Sequence, residues 1–253
     1  MTTTLIVLAH PDRRSFNGAW ADTTARAAEA RGDTVLWSDL YGMGFHPAEA
    51  AARYEAAGNG QFDPLKAQEQ AAEAGLLPSD VAGEVAKIQA ADRIIFHFPL
   101  WWFAPPAILK GWCDRALVHG ALHSVDARFD AGHCQGKRAL FCVTTGASAD
   151  ECAHNGKEGD VQMLLWPLAH TLRYLGFIVL EPRVVHGVHG YFTGDKKAAL
   201  ETRLQNTLAA QGAMLDEFEV LPQLQFNADG DFDDRGQLRP DRPSYSHFIR
   251  HRR

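Results

Sequence analysis

The sequence predicts a doubly wound α/β domain built on a five-stranded parallel sheet of order 2-1-3-4-5, with helices on both faces. Short apolar runs recur along the chain, and helix-like stretches separate them. Such alternation forms right-handed βαβ units, which place the strands parallel. The composition, with 46% hydrophobic and 22% charged residues, is that of an ordinary globular protein. The length of 253 residues suits one large domain or two small ones, and the alternation favours one.

The predicted strands are buried apolar runs, which are typical of a parallel sheet covered on both faces. Their spacing along the chain fits a flavodoxin-like sheet. In chain order they are Leu5–Ala9, the weaker run Thr34–Trp37, Arg93–Phe98, Arg138–Val143, and Phe177–Leu180 continuing to Val185.

Five helices are predicted between and after these strands. Ser15 and Asn17 are good N-caps for the first, Pro105 and Pro106 suit the first turn of the third, and Gly176 is a good residue to end the fourth. The helices are expected at Ala19–Arg31, from Pro78 to about Ala90, and at Ala107–Val118, Val161–Leu175 and Asp195–Phe218.

Residues 1–218 therefore form the predicted flavodoxin-like α/β domain, and residues 219–253 differ from it in composition. This last segment is rich in turn residues and acidic groups, with Pro240 and Pro243 near its end. We expect a C-terminal extension that packs on the domain or on a partner subunit.

Composition also excludes several classes of function. A formal charge of −6 argues against a nucleic-acid-binding protein, which needs a basic stripe. The most apolar stretch, Ile94–Leu109, is too short to span a bilayer and is interrupted by prolines. The N-terminus lacks the basic region of a signal peptide, and the four cysteines form no CxxC pair. We therefore expect a cytoplasmic protein without a membrane span.

The loop after the first strand has the features of a phosphate site. It leads from His10 into a helix whose free amides and small polar side chains suit an anion, with Arg13 and Arg14 as further donors. Neither a GxGxxG motif nor a GxxxxGK[ST] motif is present, so a Rossmann dinucleotide site and a P-loop are disfavoured. A capped helix with an exposed loop is the alternative interpretation.

Two further loops follow the third and fourth strands. Trp101, Trp102 and Phe103 form a flat apolar wall on which a planar ring could stack, because three consecutive residues cannot all enter a core. Residues Thr144–Ser148 offer hydroxyls and amides for the polar edge of a heterocycle, or a simple structural turn. Because these loops meet at one edge of the sheet, they predict a site for a flat, phosphorylated cofactor.

Three groups of motifs resemble the NAD(P)H:quinone oxidoreductase family, whose members are flavodoxin-like proteins with FAD. The resemblance runs from about Thr4 to Val185. The motifs are Ala9-His-Pro with Ser15-Phe-Asn, Phe98-Pro-Leu-Trp-Trp-Phe with Pro106-Ala-Ile-Leu-Lys-Gly-Trp, and Thr144-Thr-Gly with Leu165-Trp-Pro and Gly176-Phe.

This resemblance implies an FAD site across the three loops. The first loop would hold the pyrophosphate, the second would pack on the isoalloxazine, and the third would bind its pyrimidine end. The residues are His10, Ser15, Phe16 and Asn17, then Pro99, Leu100, Trp102 and Phe103 beside Trp101, and finally Thr144, Thr145, Gly146 and Ala147.

The resemblance further implies a homodimer with the site completed at its interface. The substrate pocket would combine Trp102 and Phe103 with His119, Gly120 and Leu122, which would line the partner's pocket. The family mechanism is ping-pong: NAD(P)H gives a hydride to the flavin and leaves, and a quinone or similar planar acceptor then receives it.

One loop departs from the best-known family pattern. Cys152 lies in the place of a family tyrosine and Glu158 in the place of a family histidine, with His154 and Lys157 between them. A carboxylate beside an anionic reduced flavin is unfavourable unless it is neutralised or turned outward. Cys152, His154 and Glu158 are therefore the candidate acid–base residues, although the flavin carries the chemistry.

Other interpretations stay open on the sequence alone. One is an FMN enzyme that reduces azo or nitro compounds or supplies flavin to a monooxygenase, and another is a flavin-binding regulatory subunit of a transporter. His119 and His123 are four residues apart and would share a helix face at metal-ligand spacing, but no third ligand is evident, so no metal is expected.

Overall fold

The predicted sheet order is confirmed by the computed structural model, which describes residues 1–54 and 61–252. The strands run parallel in the order β2-β1-β3-β4-β5. A further strand, β6, pairs parallel with β4 beyond the end of β5. The strands are β1 (Thr3–Leu8), β2 (Thr34–Asp39), β3 (Arg93–Pro99), β4 (Arg138–Thr144), β5 (Ile178–Val179) and β6 (Arg183–Val185).

The edge strand that we predicted as one run to Val185 is interrupted, so this prediction was wrong in detail. β5 pairs with the first residues of β4 and β6 with its last ones, and Glu181 and Pro182 lie between them. Proline has no amide hydrogen to donate to a neighbouring strand. The Glu181 amide instead donates to the Pro222 carbonyl at 2.8 Å, outside the sheet.

Seven α-helices cover the two faces of the sheet among the described residues. The predicted helices are present, but three details differ from the prediction. The first begins at Phe16 because Ser15 caps it, a helix at Pro64 was not predicted, and the last one breaks at Ala210. The helices are α1 (Phe16–Ala30), α2 (Pro64–Ala74), α3 (Ser79–Ala90), α4 (Ala107–Ala116), α5 (Val161–Tyr174), α6 (Gly194–Ala209) and α7 (Gln211–Asp216).

Alternate residues of each central strand enter two separate cores, which explains the continuous apolar runs. On one face Ile94 and Phe96 pack with residues of α3, α4 and α5. On the other face Ile95 packs with residues of α1 and α7, including Trp20. Each Å² of apolar surface buried on either face contributes about 25 cal/mol to stability. Packing on both faces therefore keeps the strand ends in fixed positions.

The C-terminal segment lies against the edge of the sheet and against α5. The Leu224 amide donates to the Val179 carbonyl at 2.9 Å, and Phe226 packs on Trp166 with ring centroids 4.9 Å apart. Farther along, Phe248 lies 5.5 Å from the ring of His170. Among the described residues, none of the helices has both the length and the apolar character needed to cross a membrane.

Candidate functional site

The three predicted loops meet at the carboxyl edge of the sheet. The Thr144 hydroxyl, after β4, donates to Asn17 Oδ1 at the start of α1 over 3.0 Å. The Leu100 amide donates to the Thr144 carbonyl at 2.8 Å, and the rings of His10 and Trp101 are 5.8 Å apart. Residues from all three loops are thus in contact, as parallel strands require.

The N-terminus of α1 forms one end of this region. The amides of Phe16 and Asn17 have no acceptor among the described residues, while the Gly18 amide donates to Ser15 Oγ at 3.2 Å. A Cβ atom on Gly18 would lie 2.0 Å from the Arg13 carbonyl oxygen, so the loop lies tightly against the helix. Free amides at a helix N-terminus are an anion site.

The arginines of this loop are engaged elsewhere, which corrects our expectation that they serve as free phosphate donors. Arg13 forms ion pairs with Asp22 at 2.5 Å and with Asp39 at 2.6 Å. Arg14 pairs with Asp12 at 2.8 Å, and its hydrogen bonds lower the pKa of that carboxyl to about 2. The anion site therefore depends on backbone amides rather than on arginine charge.

The aromatic residues after β3 form a strained turn. Trp101 and Ala104 exchange two backbone hydrogen bonds of 3.0 and 3.2 Å around Trp102 and Phe103, whose φ angles are 51° and 61°. Positive φ at both central residues is usual for glycine and asparagine and costs bulky residues about 1–2 kcal/mol each. Strain of this kind is concentrated at functional sites.

This turn holds its side chains out of the core. The exposed fractions of Trp101, Trp102 and Phe103 are 42%, 93% and 53%. None of the three side chains belongs to the hydrophobic core, as we expected for consecutive residues, whereas Phe98 is fully buried. The exposed rings are available as a stacking surface.

A cleft of about 260 Å³ separates the aromatic turn from the loop after β4. Its apolar wall is formed by Leu100, Trp102, Phe103 and Leu164, and its polar wall contains residues Thr145–Ala147. The amides of Gly146 and Ala147 have no acceptor among the described residues, so they are free to donate. A planar ring with a polar edge fits between such walls.

The loop after β4 is held from behind by β6 and the residues that follow it. The Thr145 amide donates to the Val185 carbonyl at 3.1 Å, and the Gly187 amide donates to the Ala147 carbonyl at 2.9 Å. Thr145 Oγ1 also lies 3.0 Å from His186 Nδ1. No local sequence pattern indicates these hydrogen bonds or the position of Leu164 in the cleft, because both depend on tertiary contacts.

Two of the three candidate acid–base residues line the cleft. Cys152 and Glu158 face it, whereas His154 is exposed and does not line it. Lys157 pairs with Glu151 at 2.9 Å. The Ser148 amide and Lys157 hydrogen-bond to Glu151 and lower its pKa to about 2.

The residues predicted for the partner's pocket lie beyond α4, away from the cleft of their own chain. Leu122 is 1% exposed and packs in the core, and Gly120 occupies a turn with φ of 86°. The rings of His119 and His123 are 5.1 Å apart in this turn, not on a helix face as we expected. No group of three potential metal ligands occurs in residues 1–54 and 61–252.

A larger apolar trough of about 720 Å³ adjoins the cleft and shares Phe103 and Leu164 with it. It runs between α4 and α5 and reaches α2. His123 and Tyr174, with ring centroids 5.4 Å apart, line it as well. Because α2 was not predicted, the sequence could not indicate this trough.

Comparison with known proteins identifies the relatives of this chain. A family model described as a flavodoxin-like fold matches residues 2–209. NAD(P)H dehydrogenase [quinone] 1 of Rattus norvegicus is 40% identical over 189 residues, which cover 73% of this chain and 68% of the relative. Ribosyldihydronicotinamide dehydrogenase [quinone] of Pongo abelii is 42% identical over 183 residues, covering 71% and 79%.

A solved structure of similar extent supports the same grouping. The crystal structure of a quinone reductase candidate from Klebsiella pneumoniae superposes with a TM-score of 0.85 and 33% sequence identity. The match covers 95% of both chains. It therefore extends beyond the α/β core into the C-terminal segment.

Proposed function

The chain belongs to the NAD(P)H:quinone oxidoreductase family and is an NAD(P)H dehydrogenase of the quinone-reducing type, and we propose that it works with FAD by a ping-pong transfer of two electrons. The observation that carries this proposal is the pair of walls of the 260 Å³ cleft. An exposed, strained aromatic turn faces free amides across a gap that suits a flat ring.

The residues of the three loops fit the parts of FAD. The free amides of Phe16 and Asn17 suit the diphosphate, and Trp102 and Phe103 suit the ring system. The buried Nδ2 of Asn17 has no hydrogen-bond partner among the described residues, although its Oδ1 is bonded to Thr144. A buried donor without an acceptor is costly, so a ligand oxygen there would be favoured.

When bound, FAD supplies the chemistry of accepting and returning a hydride. The protein's part is to bind and orient the reactants. The amides of Gly146 and Ala147 would donate to the polar edge of the ring, where negative charge grows on reduction. Trp102 and Phe103 would hold NAD(P)H and then the quinone-like acceptor in turn against the ring, which is the requirement of a ping-pong reaction.

We propose that the active enzyme is a homodimer located in the cytoplasm. Trp102 is 93% exposed, and the apolar trough of about 720 Å³ adjoins the cleft, so a second copy would cover both. His119 and Gly120 are reachable from outside and stay proposed for the partner's pocket. Leu122 is 1% exposed and packs in the core of its own chain, so it is withdrawn from that pocket. All four cysteines are free and buried, as expected in a reducing compartment.

Steady-state oxidation of NADPH and NADH with menadione as acceptor tests the proposed function. A ping-pong enzyme gives parallel double-reciprocal lines, and we expect a turnover above about 1 s⁻¹. A turnover far below about 1 s⁻¹ with both nucleotides would contradict the proposal and favour a regulatory flavin-binding protein. Intersecting lines would contradict the ping-pong order alone.

A further inference from the structure

The cleft is lined by one acidic residue, Glu158, and by no cationic residue among those that the structure describes. Glu158 is half-buried and lines the cleft opposite the aromatic turn. Among the described residues, no lysine, arginine or histidine lines this cleft, and Glu158 takes part in no ion pair. Cys152 is the other titratable group that lines it. A molecule that enters the cleft therefore meets the Glu158 carboxylate with no cation among the lining residues to pair with it.

The nearby cations are bound to other carboxylates. Lys157, the preceding residue in the chain, pairs with Glu151 at 2.9 Å, and Glu158 contributes less than Glu151 to the raised pKa of this lysine. On the opposite loop, Arg13 is held by Asp22 and Asp39. His154 is exposed, and His186 contacts the Thr145 hydroxyl rather than Glu158. Rearranging any of these pairs to neutralise Glu158 would break an existing interaction.

We propose that Glu158 makes the site select neutral or cationic planar acceptors and reject acceptors that carry a carboxylate or sulfonate near the ring. This inference rests on the proposed quinone reductase function and names the charge class of its substrate. Like charges within a few ångströms in a partly desolvated cleft repel strongly, whereas a neutral ring meets no such penalty. Selection of this kind operates by rejection of the wrong substrate.

The repulsion has a property that a steric effect lacks. Because Glu158 is only half-buried, salt screens part of its charge, and the Debye length falls from about 10 Å at 0.1 M to about 3 Å at 1 M. The preference for a neutral acceptor should therefore weaken as salt is added. A steric clash would not depend on salt.

The test compares two acceptors of similar ring size, neutral menadione and anionic 1,2-naphthoquinone-4-sulfonate, in the holoenzyme. The ratio of kcat/KM for the sulfonate to that for menadione is measured in the wild type, Glu158→Gln and Glu158→Lys. We expect Glu158→Gln to raise this ratio about five- to tenfold at low salt and Glu158→Lys to raise it further. Asp150→Asn removes an exposed carboxylate of the same loop outside the cleft and should leave the ratio unchanged.

A binding measurement separates this inference from the proposed function. Equilibrium dialysis of 1-naphthalenesulfonate, which is not reduced, should show about fivefold tighter binding to Glu158→Gln than to the wild type. Suppose that the wild type reduces menadione, but that both Glu158 variants have the wild-type kcat/KM ratio and the wild-type affinity for 1-naphthalenesulfonate. The proposed selection by charge is then wrong, and the proposed function stands. If no acceptor is reduced, the function fails, and the dialysis still decides whether Glu158 rejects anions.

Discussion

The Thr144 hydroxyl donates a 3.0 Å hydrogen bond to the side-chain oxygen of Asn17, and this bond joins the end of β4 to the first turn of α1. Both residues are nearly fully buried, with exposed fractions of 4% for Thr144 and 3% for Asn17. The bond fixes the loop that would bind the flavin ring relative to the helix that would bind its diphosphate.

Replacement of Thr144 by valine should weaken both the fold and the cofactor site. Thr144→Val leaves a buried Asn17 oxygen without a donor, which costs about 1–3 kcal/mol in the free energy of unfolding. Urea unfolding and the flavin content of the purified protein measure the two effects. Thr202→Val is the control, because its hydroxyl bonds to Ala198 on the exposed surface of α6, and it should change stability by less than about 0.5 kcal/mol.

The aromatic turn should show opposite effects on stability and on binding. Trp102→Gly removes an exposed ring at a φ of 51°, so we expect the free energy of unfolding of the flavin-free protein to stay equal or rise by about 1 kcal/mol. The same change should weaken flavin binding by roughly 0.5–1.5 kcal/mol beyond the lost contact area. Fluorescence titration of FAD into flavin-free protein measures this, and unchanged affinity would remove Trp102 from the ring site.

Two glycines in helices should respond to alanine with opposite signs. Gly18→Ala places a Cβ atom 2.0 Å from the Arg13 carbonyl oxygen, so the loop must move away from α1, with losses in stability and in flavin retention. Gly83→Ala, in the exposed middle of α3, meets no atom within 4 Å and should stabilise the protein by about 1 kcal/mol. Thermal unfolding of both variants checks the pair, and a stabilising Gly18→Ala would show that the close approach is absent.

His97 should make the protein less stable in mild acid. Burial lowers the pKa of its imidazole to about 3, and neither ring nitrogen has a partner among the described residues. As the pH falls below about 6.5, the unfolded state binds a proton that the folded state does not, so stability is lost progressively towards pH 3. His97 alone should account for about 2 kcal/mol of lost stability between pH 7 and pH 5.

Urea unfolding at both pH values, compared between the wild type and His97→Gln, isolates this effect. Between pH 7 and pH 5 the free energy of unfolding of His97→Gln should fall by about 2 kcal/mol less than that of the wild type, whatever the stability of the variant at pH 7. His154→Gln, which changes an exposed histidine, is the control, and its free energy of unfolding should fall between pH 7 and pH 5 by as much as that of the wild type. Equal pH dependence of His97→Gln and the wild type would mean that His97 is protonated in the folded protein.

Much of the fold could be predicted because its signals are local. The apolar run Arg93–Pro99 is buried on both faces, so its strand is evident from composition alone. The helix Pro64–Ala74 was missed because few of its side chains are apolar and buried. The break between β5 and β6 depends on a hydrogen bond from Glu181 to Pro222, forty-one positions away, which no local pattern reveals.

The meeting of the three loops at the candidate site could be predicted, but the ion pairs around it could not. The topology places the three loops together, and the proline-flanked aromatic run indicated a wall at the correct strand end. The partners of Arg13 are Asp22 and Asp39, one on α1 and one on β2, and only the folded chain brings them to it. Lys157 adjoins Glu158 in the sequence, but in the structure it pairs with Glu151 and does not line the cleft. This arrangement also could not be predicted from the sequence.

Identification of the bound cofactor tests the central claim most directly. Purified protein is denatured, and the released flavin is separated by chromatography and quantified against the protein concentration. If the three loops form a single site for a tricyclic ring and a diphosphate, one equivalent of FAD per chain is released, or is taken up when FAD is added to flavin-free protein. Release of FMN alone, or protein that neither contains flavin nor binds added FAD, would contradict the account.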